Sequence, residues 1–323
     1  MHGASMDIRS AVVFGGGGFI GRHFVRRLAK AGAVVRVPSR HVSRLGYLRT
    51  AGVVGQIVPE IIDVFDDAEL TAAIKGADVA VNLVGILAPT RRVGFGAAHA
   101  ELPARIARIS AEAGVKRLVH VSAVGAAADS PSAYARSKAE GEAAVAAAFA
   151  NAAIVRPSIV FGPEDQFFKR FAGMAMLSPV LPLIGGGHTR FQPVYVGDVA
   201  DAVLAATTRA DAQGKTYELG GPGIYSFREL MTMMLDEIGI HRLLAPVPFG
   251  VARVMAGFAE KLPGAPLTRD QVELLKIDNV LTGQYPGLTD LGVRPTGLEL
   301  MLPTFLDRFR DGGRFGHRTS VAP

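Results

Sequence analysis

The sequence predicts an α/β protein, in which helices cover both faces of a doubly wound parallel sheet and a smaller, mostly helical domain follows. Three observations support this prediction. Short β-type runs alternate with helical patterns through the first half of the chain, a glycine-rich turn joins the first strand to the first helix, and prolines and glycines interrupt the pattern after Pro157. Strands that alternate with helices form βαβ units, whose strands run parallel. The 323 residues suffice for both domains.

The first domain is predicted from six apolar runs and the helical stretches between them. The predicted strands are 10–14, 34–37, 56–62, 78–83, 117–121 and 153–156. The predicted helices are 18–31, a connecting helix near 42–51, 67–75, 97–113 and 132–149. Right-handed crossovers would bring these helices onto both faces of the sheet. We assign residues 1–160 to this domain, with returns from about 190–220 that include a helix at 199–209.

The second domain is assigned to residues 161–323. Its beginning is predicted to be loop-rich because Pro163, Pro179, Pro182 and three successive glycines punctuate it. The predicted helices further on are 227–238, 249–262, 269–276 and 298–310, and a frayed tail is expected from about 312. We therefore expect a smaller domain that is mostly helical.

The composition excludes several kinds of site. The chain has no cysteine, which excludes disulfides, thiolate zinc sites and a cysteine nucleophile. The net charge of +6 suits a phosphorylated cofactor or an anionic membrane surface, and it also suits an ordinary solvated surface. Lysines and arginines are scattered, so no nucleic-acid binding is expected. The eight histidines are isolated, so no metal site is expected, and we interpret His120 as a satisfied core residue.

No membrane span and no targeting segment is predicted. The most apolar stretches, 171–187 and 243–262, are interrupted before they reach the ~20 residues that a span needs. Residues 1–10 are too few and too polar for a signal peptide. We therefore expect the protein to be made and kept in a cytoplasm.

The strongest local signal is a glycine-rich turn between the first strand and the first helix. It reads Gly15-Gly16-Gly17-Gly18-Phe19-Ile20-Gly21. Glycines at 15, 18 and 21 allow a tight turn, close approach of the backbone to a pyrophosphate, and close packing of helix on strand. The start of the helix then offers unpaired N–H groups and a positive dipole end. The pattern predicts a Rossmann-type dinucleotide site, whereas a glycine-rich turn without a ligand is the alternative.

The end of the second strand indicates which dinucleotide is bound. Sites selective for NAD place an acidic residue there to bind the ribose 2′-hydroxyl. This chain has Val37-Pro38-Ser39-Arg40 instead. A guanidinium suits the geometry of a 2′-phosphate, so Ser39 and Arg40 favour NADP(H). The alternative is that Arg40 is an ordinary surface residue.

Two further strand ends are expected to line the nucleotide. Asp63 and Val64 follow the third strand and are predicted to contact the adenine, although Asp63 could equally cap the next helix. Leu83, Val84 and Gly85 follow the fourth strand and are predicted to run beside the adenosine ribose and the pyrophosphate.

A possible reaction site lies at the start of a helix. Tyr134 and Lys138 are four residues apart and therefore share one helix face. A nearby ammonium lowers the pKa of a phenol, which could then exchange a proton with a substrate hydroxyl while a hydride moves. Ser122, after the fifth strand, could orient the substrate oxygen, and Lys138 could also hold the nicotinamide ribose. The same three residues can hold a cofactor without turning over a substrate.

These residues together resemble the extended short-chain dehydrogenase/reductase superfamily over about two-thirds of the chain. The resemblance is carried by the glycine turn, the Tyr134–Lys138 pair, Arg156-Pro157-Ser158-Ile159-Val160-Phe161-Gly162-Pro163 and Val194-Tyr195-Val196-Gly197-Asp198-Val199-Ala200. It adds Pro157 and Ile159 to the cofactor-binding residues. Ser122 precedes Tyr134 by twelve positions and Ala123 stands where many extended enzymes carry a second serine. Both departures argue against epimerase chemistry, and neither excludes reduction.

A narrower resemblance covers nearly the whole chain. Its segments are Asn82–Leu87, His120–Ala123, Ser130–Tyr134, Gly162–Phe168, Thr189–Val196 and Pro266–Val272. They are similar to the nucleotide-binding accessory subunit of respiratory complex I in its bacterial form. The resemblance implies a stably held NADPH that does not turn over. It also implies docking on the peripheral arm near the quinone entrance and the membrane surface, on the cytoplasmic side of the bacterial inner membrane.

Two other functions remain open from the sequence. The intact Tyr134, Lys138 and Ser122 suit a free NADP(H)-dependent reductase or a sugar-nucleotide epimerase/dehydratase. A redox-sensing regulator could use the same fold as a nucleotide switch. The apolar stretch 249–262 suits either a docking surface or a lid over a substrate cleft.

Overall fold

The computed structural model describes residues 8–90, 92–262 and 267–310. The predictions for the frayed tail from 312, for most of residues 1–10 and for Pro266 lie outside these ranges. In chain order, the strands are β1 (Ser10–Phe14), β2 (Val34–Ser39), β3 (Ile57–Ile61), β4 (Val79–Asn82), β5 (Arg117–Val121), β6 (Ala153–Pro157), β7 (Val160–Phe161), β8 (Val180–Ile184), β9 (Arg190–Phe191), β10 (Val194–Tyr195), β11 (Thr216–Leu219), β12 (Tyr225–Ser226) and β13 (Leu243–Val247).

The α-helices surround the sheets and account for most of the predicted helical segments. They are α1 (Phe19–Lys30), α2 (Gly46–Arg49), α3 (Asp67–Ile74), α4 (Leu102–Glu112), α5 (Ala133–Ala148), α6 (Phe167–Leu177), α7 (Val196–Thr208), α8 (Phe227–Ile238), α9 (Phe249–Ala259), α10 (Arg269–Leu274) and α11 (Leu298–Leu306). The helix predicted over 97–113 divides into a π-helical turn, Ala97–Glu101, followed by α4.

The chain forms two compact units. The first contains the residues up to Pro157, Val196–Leu219 and Thr282–Arg294, and the second contains Ser158–Tyr195, Gly220–Leu281 and the chain from Pro295 onward. The first unit holds a seven-stranded sheet in the order β11-β6-β5-β4-β1-β2-β3, and every neighbouring pair is parallel. This arrangement confirms the predicted doubly wound α/β fold.

The strand order changes direction beside β1. The chain runs from β1 to β2 and β3 on one side and then returns to β4 on the other side. Because crossovers between parallel strands are right-handed as a rule, the helices on the two sides of β1 are expected on opposite faces. Helices α3, α4 and α5 enclose one buried cluster with Val12, Phe14 and Ala80, while α1 packs against α7. In open α/β sheets, ligands bind at the carboxyl ends of the strands where this change occurs.

One segment late in the chain differs from the predicted domain boundaries. The sequence assigned residues 161–323 to the second domain, whereas Thr282–Arg294 belongs to the first unit. Buried Glu218 of β11 explains the return, because its carboxylate accepts from the backbone N–H and the hydroxyl of Thr282, both at 2.8 Å. The N–H of Glu218 also donates to the carbonyl of Pro286 at 3.0 Å.

The second unit contains more regular structure than predicted. Its start was expected to be loop-rich, which is wrong, because α6 and four short strands, β7 to β10, lie there. The prolines flank α6 instead of interrupting it, and buried Asp165 accepts from the N–H of Phe168 at 2.9 Å at its start. Strand β8 pairs in parallel with β13, and the core includes Phe168, Phe191, Phe227 and Met231.

Helix α9 buries little of its surface. Ala252 and Ala256 are fully buried in a small cluster with Ile184 and Val272. The apolar residues on its other sides are exposed, namely Val251, Val254, Met255 and Phe258, as is Leu262 just beyond it. Among the residues that the structure describes, no helix is both long enough and apolar enough to cross a bilayer.

Candidate nucleotide-binding site

The glycine turn after β1 requires glycine at two positions. Gly15 has φ +77°, and a Cβ on it would lie 2.9 Å from the carbonyl carbon of Leu83. A Cβ on Gly21 would lie 2.2 Å from the carbonyl oxygen of Gly15, so α1 packs directly on the turn. Gly18 is less constrained, and its N–H donates to Gly15 at 2.9 Å. Because glycine has no side chain, the protein backbone at such a turn can approach a ligand closely.

The first turn of α1 presents backbone N–H groups. The N-cap residue is Gly18, which has no side chain to cap the helix, and no acidic residue lies in the first turn. Gly18 is exposed, and Phe19 and Ile20 are half-buried. Because the first N–H groups of a helix lack intrahelical acceptors and carry a positive partial charge, this end suits an anion.

The segment after β2 folds onto the glycine turn. Ser39 accepts from the N–H of His41 at 3.2 Å, and Arg40 follows directly with an exposed side chain. The Tyr47 hydroxyl donates to the carbonyl of Gly17 at 2.9 Å. The guanidinium of Arg22 lies 5.0 Å from the centre of the Tyr47 ring. Neither Arg22 nor Tyr47 was predicted from the sequence, because no local pattern links residues that are 25 positions apart.

The polar residues after β3 belong to two successive turns. The Asp63 carboxylate accepts from the N–H of Phe65 at 3.0 Å and is exposed. The N-cap of α3 is Asp66, whose carboxylate accepts from Ala68 at 2.8 Å and from Glu69 at 3.0 Å. The alternative that Asp63 caps this helix is therefore wrong. Val64 is half-buried against the α3 side of the core.

Asn82 shapes the segment after β4. Its Oδ1 accepts from the N–H of Val84 at 3.0 Å, and its Nδ2 donates to Nδ1 of His120 at 3.2 Å. The N–H of Leu83 donates to the carbonyl of Phe14 at 2.9 Å. Leu83 and Val84 are half-buried and Gly85 is exposed. The segment that was predicted to line the nucleotide is thus fixed beside the glycine turn.

His120 is only partly satisfied in the core, which corrects the prediction. Its Nδ1 accepts from Asn82, so the proton of the neutral ring lies on Nε2. Nε2 is buried and has no hydrogen-bond partner among the described residues. Burial, together with the charges of Lys138 and His99, lowers the pKa of His120 to about 3.

Lys138 and Ser122 are buried at the carboxyl edge of the sheet. Lys138 is only 3% exposed, and its ammonium donates to the carbonyl of Val121 at 3.3 Å. Burial lowers the pKa of Lys138 to about 8, against the opposing effect of Glu142. The N–H of Ser122 donates to Val155 at 2.7 Å, whereas its hydroxyl is buried with no partner among the described residues. A buried hydroxyl without a protein partner is free to bond to a ligand group or to a bound water.

Tyr134 lies in the first turn of α5, which the Ser132 side chain caps through the N–H of Ala135 at 3.3 Å. The tyrosine is half-buried, and its ring meets the His99 ring edge-to-face at 5.2 Å. It meets the Phe95 ring at 5.8 Å in the same manner. Neither neighbour was predicted from the sequence, because both lie more than 30 positions before Tyr134 and the histidines were interpreted as isolated.

The motif around Arg156 contributes structure to the first unit. The Arg156 guanidinium is paired with Glu142 of α5, lies 3.8 Å from Glu218 and stacks 4.9 Å from the Tyr285 ring. Pro157 ends β6, and its carbonyl accepts from the N–H of Val124 at 3.0 Å. Ile159 belongs to the second unit, where its N–H donates to Asn279 at 2.9 Å.

The described residues fit a dinucleotide. The glycine turn, the start of α1 and the segments after β2, β3 and β4 all lie at the carboxyl edge of one parallel sheet. The features that fit a ligand are the glycine turn, where backbone contacts exclude a side chain at 15 and 21, and the unpartnered hydroxyl of Ser122. Residues 8–90, 92–262 and 267–310 contain no group of three or more histidine or carboxylate side chains that could hold a metal ion.

Known proteins share this arrangement. The model of the NAD dependent epimerase/dehydratase family matches residues 11–220. An epimerase of Methanothermobacter thermautotrophicus has the same fold, with a TM-score of 0.72 at 19% identity over 94% of this chain and 92% of that one.

The similarity of one group of proteins extends over nearly the whole chain. NADH dehydrogenase [ubiquinone] 1 alpha subcomplex subunit 9, mitochondrial, of Arabidopsis thaliana is 37% identical over 324 residues, which cover 96% of this chain and 80% of the relative. The Mus musculus protein of the same name is 38% identical over 307 residues, covering 93% and 80%. The chain therefore belongs to the NAD dependent epimerase/dehydratase family and, within it, to the family of NADH dehydrogenase [ubiquinone] 1 alpha subcomplex subunit 9.

Proposed function

We propose that this chain is an accessory subunit of respiratory complex I, and that it holds NADP(H) in its first unit without turning it over. The observation that carries the proposal is the 37% identity to the Arabidopsis thaliana subunit over 96% of the chain. That similarity extends through both units. A similarity limited to the sheet would indicate only a fold that many unrelated proteins use.

The pyrophosphate would bind where the glycine turn meets α1. Gly15, Gly18 and Gly21 leave the space, and the N–H groups of Phe19 and Ile20 supply the positive end of the helix. Leu83, Val84 and Gly85 would run beside the adenosine ribose and the pyrophosphate, and Asp63 and Val64 would contact the adenine.

We propose NADP(H) instead of NAD(H) because of the end of β2. Ser39 ends this strand and exposed Arg40 follows it, so no carboxylate stands where an NAD site would bind the ribose 2′-hydroxyl. A guanidinium can donate two parallel hydrogen bonds to a phosphate, and it would be left without a partner by NAD(H).

Tyr134 and Lys138 would bind the nicotinamide ribose. With a pKa of about 8, Lys138 is mostly charged at pH 7 and can donate to ribose hydroxyls. The buried hydroxyl of Ser122 supports a polar ligand group at the same edge. The bound nucleotide would supply hydride chemistry, and in this proposal the residues hold it without delivering a substrate.

Helix α9 is the proposed docking element. We propose that its apolar face meets the peripheral arm of complex I near the quinone entrance, at the membrane surface on the cytoplasmic side of the bacterial inner membrane. Val254 is 63% exposed and Phe258 is 70% exposed, and exposed apolar side chains on one helix are a mark of an interaction site.

The second candidate is a free NADP(H)-dependent reductase or epimerase/dehydratase. The observation that favours it is the buried Ser122 hydroxyl without a partner beside the helix that carries Tyr134 and Lys138. A Tyr134→Phe variant separates the two functions. An enzyme would lose about 10²–10⁴-fold in turnover with its substrate, whereas a non-catalytic subunit would still bind NADPH and assemble.

Isolation of complex I from native membranes tests the proposed function. After extraction with mild detergent, the intact complex should contain this chain in a one-to-one amount. Acid or base extraction of that complex should then release NADP(H) in the same proportion. A chain that stays wholly in the soluble fraction would overturn the subunit proposal, and a complex that releases only NAD(H) would overturn the choice of nucleotide.

A further inference from the structure

A buried histidine lies between two of the segments that carry the proposed nucleotide site. His99 occupies the middle of the π-helical turn Ala97–Glu101 and has no exposed surface. Helix α5 approaches this turn so closely that a Cβ on Gly141 would lie 1.8 Å from the His99 carbonyl oxygen. π-Helical turns are rare and are often found at functional sites.

The hydrogen bonds of His99 fix its tautomer. The N–H of Ile86 can only donate, and it reaches Nε2 of His99 at 3.0 Å, so Nε2 carries the lone pair. The proton therefore lies on Nδ1, which donates to the Ser137 hydroxyl at 3.0 Å. That hydroxyl in turn donates to the carbonyl of Tyr134 at 2.8 Å. The chain of bonds joins the segment after β4 to the first turn of α5.

The ring is neutral, because a charged ring has no lone pair on Nε2 and could not accept the hydrogen bond from the N–H of Ile86. Burial, followed by the charge of Lys138, lowers the pKa of His99 to about 3. Lys138, His99 and Gly85 lie close together. A Cβ built on Gly85 would lie 3.5 Å from Nζ of Lys138 and 3.9 Å from Nε2 of His99. The ring also stacks on Phe95 at 5.5 Å and meets the Tyr134 ring edge-to-face.

We propose that His99 is a positioning residue of the nucleotide site, which fixes the first turn of α5 against the segment after β4 through Ser137 and Ile86. Its two bonds lead to the two segments that carry Tyr134 and Gly85. A buried histidine needs hydrogen-bond partners wherever it lies, and here both partners belong to segments of the proposed site. This inference rests on the proposed function, because the site that it organises is the proposed NADP(H) site.

The positioning role predicts that the two bonds of His99 affect different halves of the nucleotide. The Tyr134–Lys138 half should depend on the bond to Ser137, whereas the bond to Ile86 fixes the segment that is proposed to run beside the adenosine ribose. NADPH binding should therefore weaken when either bond is removed. Binding of adenosine 2′,5′-bisphosphate, which lacks the nicotinamide half, should stay unchanged when only the Ser137 bond is removed.

Three variants of the full chain test the proposal. His99→Phe keeps a planar ring for the stacking contacts and removes both hydrogen bonds. His99→Gln offers one acceptor and one donor without a titratable group, and it is the rescue variant. Ser137→Ala removes only the far bond and is the milder change, which remains informative if His99→Phe fails to fold.

Each variant is titrated with NADPH by nucleotide fluorescence and with adenosine 2′,5′-bisphosphate by calorimetry. We expect His99→Phe to weaken NADPH about tenfold or more and Ser137→Ala to weaken it by about fivefold, since one or two buried hydrogen bonds are lost. His99→Gln should recover most of the affinity for NADPH. Ser137→Ala should bind the bisphosphate within about twofold of the wild type, because it keeps the Ile86 bond and leaves the adenosine half intact.

The outcomes distinguish this inference from the function on which it rests. NADPH affinities of His99→Phe and Ser137→Ala that equal the wild type would overturn the positioning role. So would equal losses of NADPH and bisphosphate in Ser137→Ala. A wild-type chain that binds neither ligand would instead overturn the proposed nucleotide site itself.

Discussion

Arg156 and Glu142 form a buried ion pair with two contacts, from Nε to Oε1 at 2.9 Å and from Nη2 to Oε2 at 2.5 Å. Their side chains are 16% and 8% exposed. The pair connects strand β6 to helix α5 and raises the pKa of Arg156 well above its ordinary value. Glu142 also lies one helical turn after Lys138, so its negative charge acts both on Arg156 and on the lysine of the proposed nucleotide site.

Replacing Glu142 by Gln should destabilise the fold by about 3 kcal/mol, because one partner of a buried pair is removed and the other stays charged. It should also lower the pKa of Lys138 further, since Glu142 is the charge that raises it. Denaturant unfolding gives the first quantity. Asp201→Asn is the control, because its pair with Arg27 is far more exposed, and a loss of 0–1 kcal/mol is expected there. Equal losses in both variants would contradict the prediction.

The glycine turn should not tolerate alanine at Gly21. The added Cβ would lie 2.2 Å from the carbonyl oxygen of Gly15, and backbone must move to relieve this contact. We expect Gly21→Ala to cost about 1–3 kcal/mol of stability and to weaken NADPH at least about tenfold. Gly46→Ala is the matched control, since a Cβ there meets no atom within 4 Å. NADPH titrations that fail to separate the two variants would show that the turn does not bind the nucleotide.

Arg40 should determine the preference for NADPH. Loss of a charge-assisted contact to a 2′-phosphate predicts that Arg40→Ala weakens NADPH by about 10- to 100-fold. NADH, which lacks this phosphate, should bind within about twofold of the wild type. Lys116→Ala removes the same charge at the amino end of β5, at the opposite edge of the sheet, and should change neither affinity. An Arg40→Ala chain with unchanged NADPH affinity removes the argument for NADP(H).

The two buried histidines should make the fold sensitive to acid. His99 and His120 have a folded pKa of about 3 against an ordinary value of 6.5, so the unfolded chain binds more protons between these pH values. Their contribution is complete above pH 6.5 and is lost as pH falls, by about 2 kcal/mol for each at pH 5. His99→Gln should therefore lose less stability than the wild type between pH 7.5 and 5. Denaturant unfolding at both pH values gives the two losses of free energy. Equal losses in His99→Gln and the wild type would contradict this prediction.

The apolar face of α9 should be needed for assembly and not for folding. Val254→Ser with Phe258→Ser should leave the free energy of unfolding within about 0.5 kcal/mol, because both side chains are exposed. If the face docks, the variant should be largely missing from complex I isolated in mild detergent. Val53→Ser with Val54→Ser alters two exposed apolar residues of the first unit and should assemble normally. If both double variants assemble normally, the proposal that α9 forms the docking surface is wrong.

Much of the first unit could be predicted from the sequence because its signals are local. A strand, a glycine turn and a helix follow one another within residues 10–30, and β1 and β5 have the bounds that their apolar patterns predict. Helix α8 of the second unit also has its predicted bounds. The spacing of Tyr134 and Lys138 places them on one helix face in any α-helix. Helix α6 was missed because prolines on both sides of it suggested a loop throughout, although none lies inside it.

Only the tertiary structure decided which distant groups meet. Ile86, His99 and Ser137 are connected by hydrogen bonds that no periodicity predicts, because each bond depends on how α5 packs against the π-helical turn. The return of Thr282–Arg294 to the first unit likewise depends on partners that are distant in sequence, among them the buried Glu218, whose carboxylate accepts from Thr282. A sequence pattern reports the preferences of neighbouring residues, whereas burial assigns partners across the whole chain.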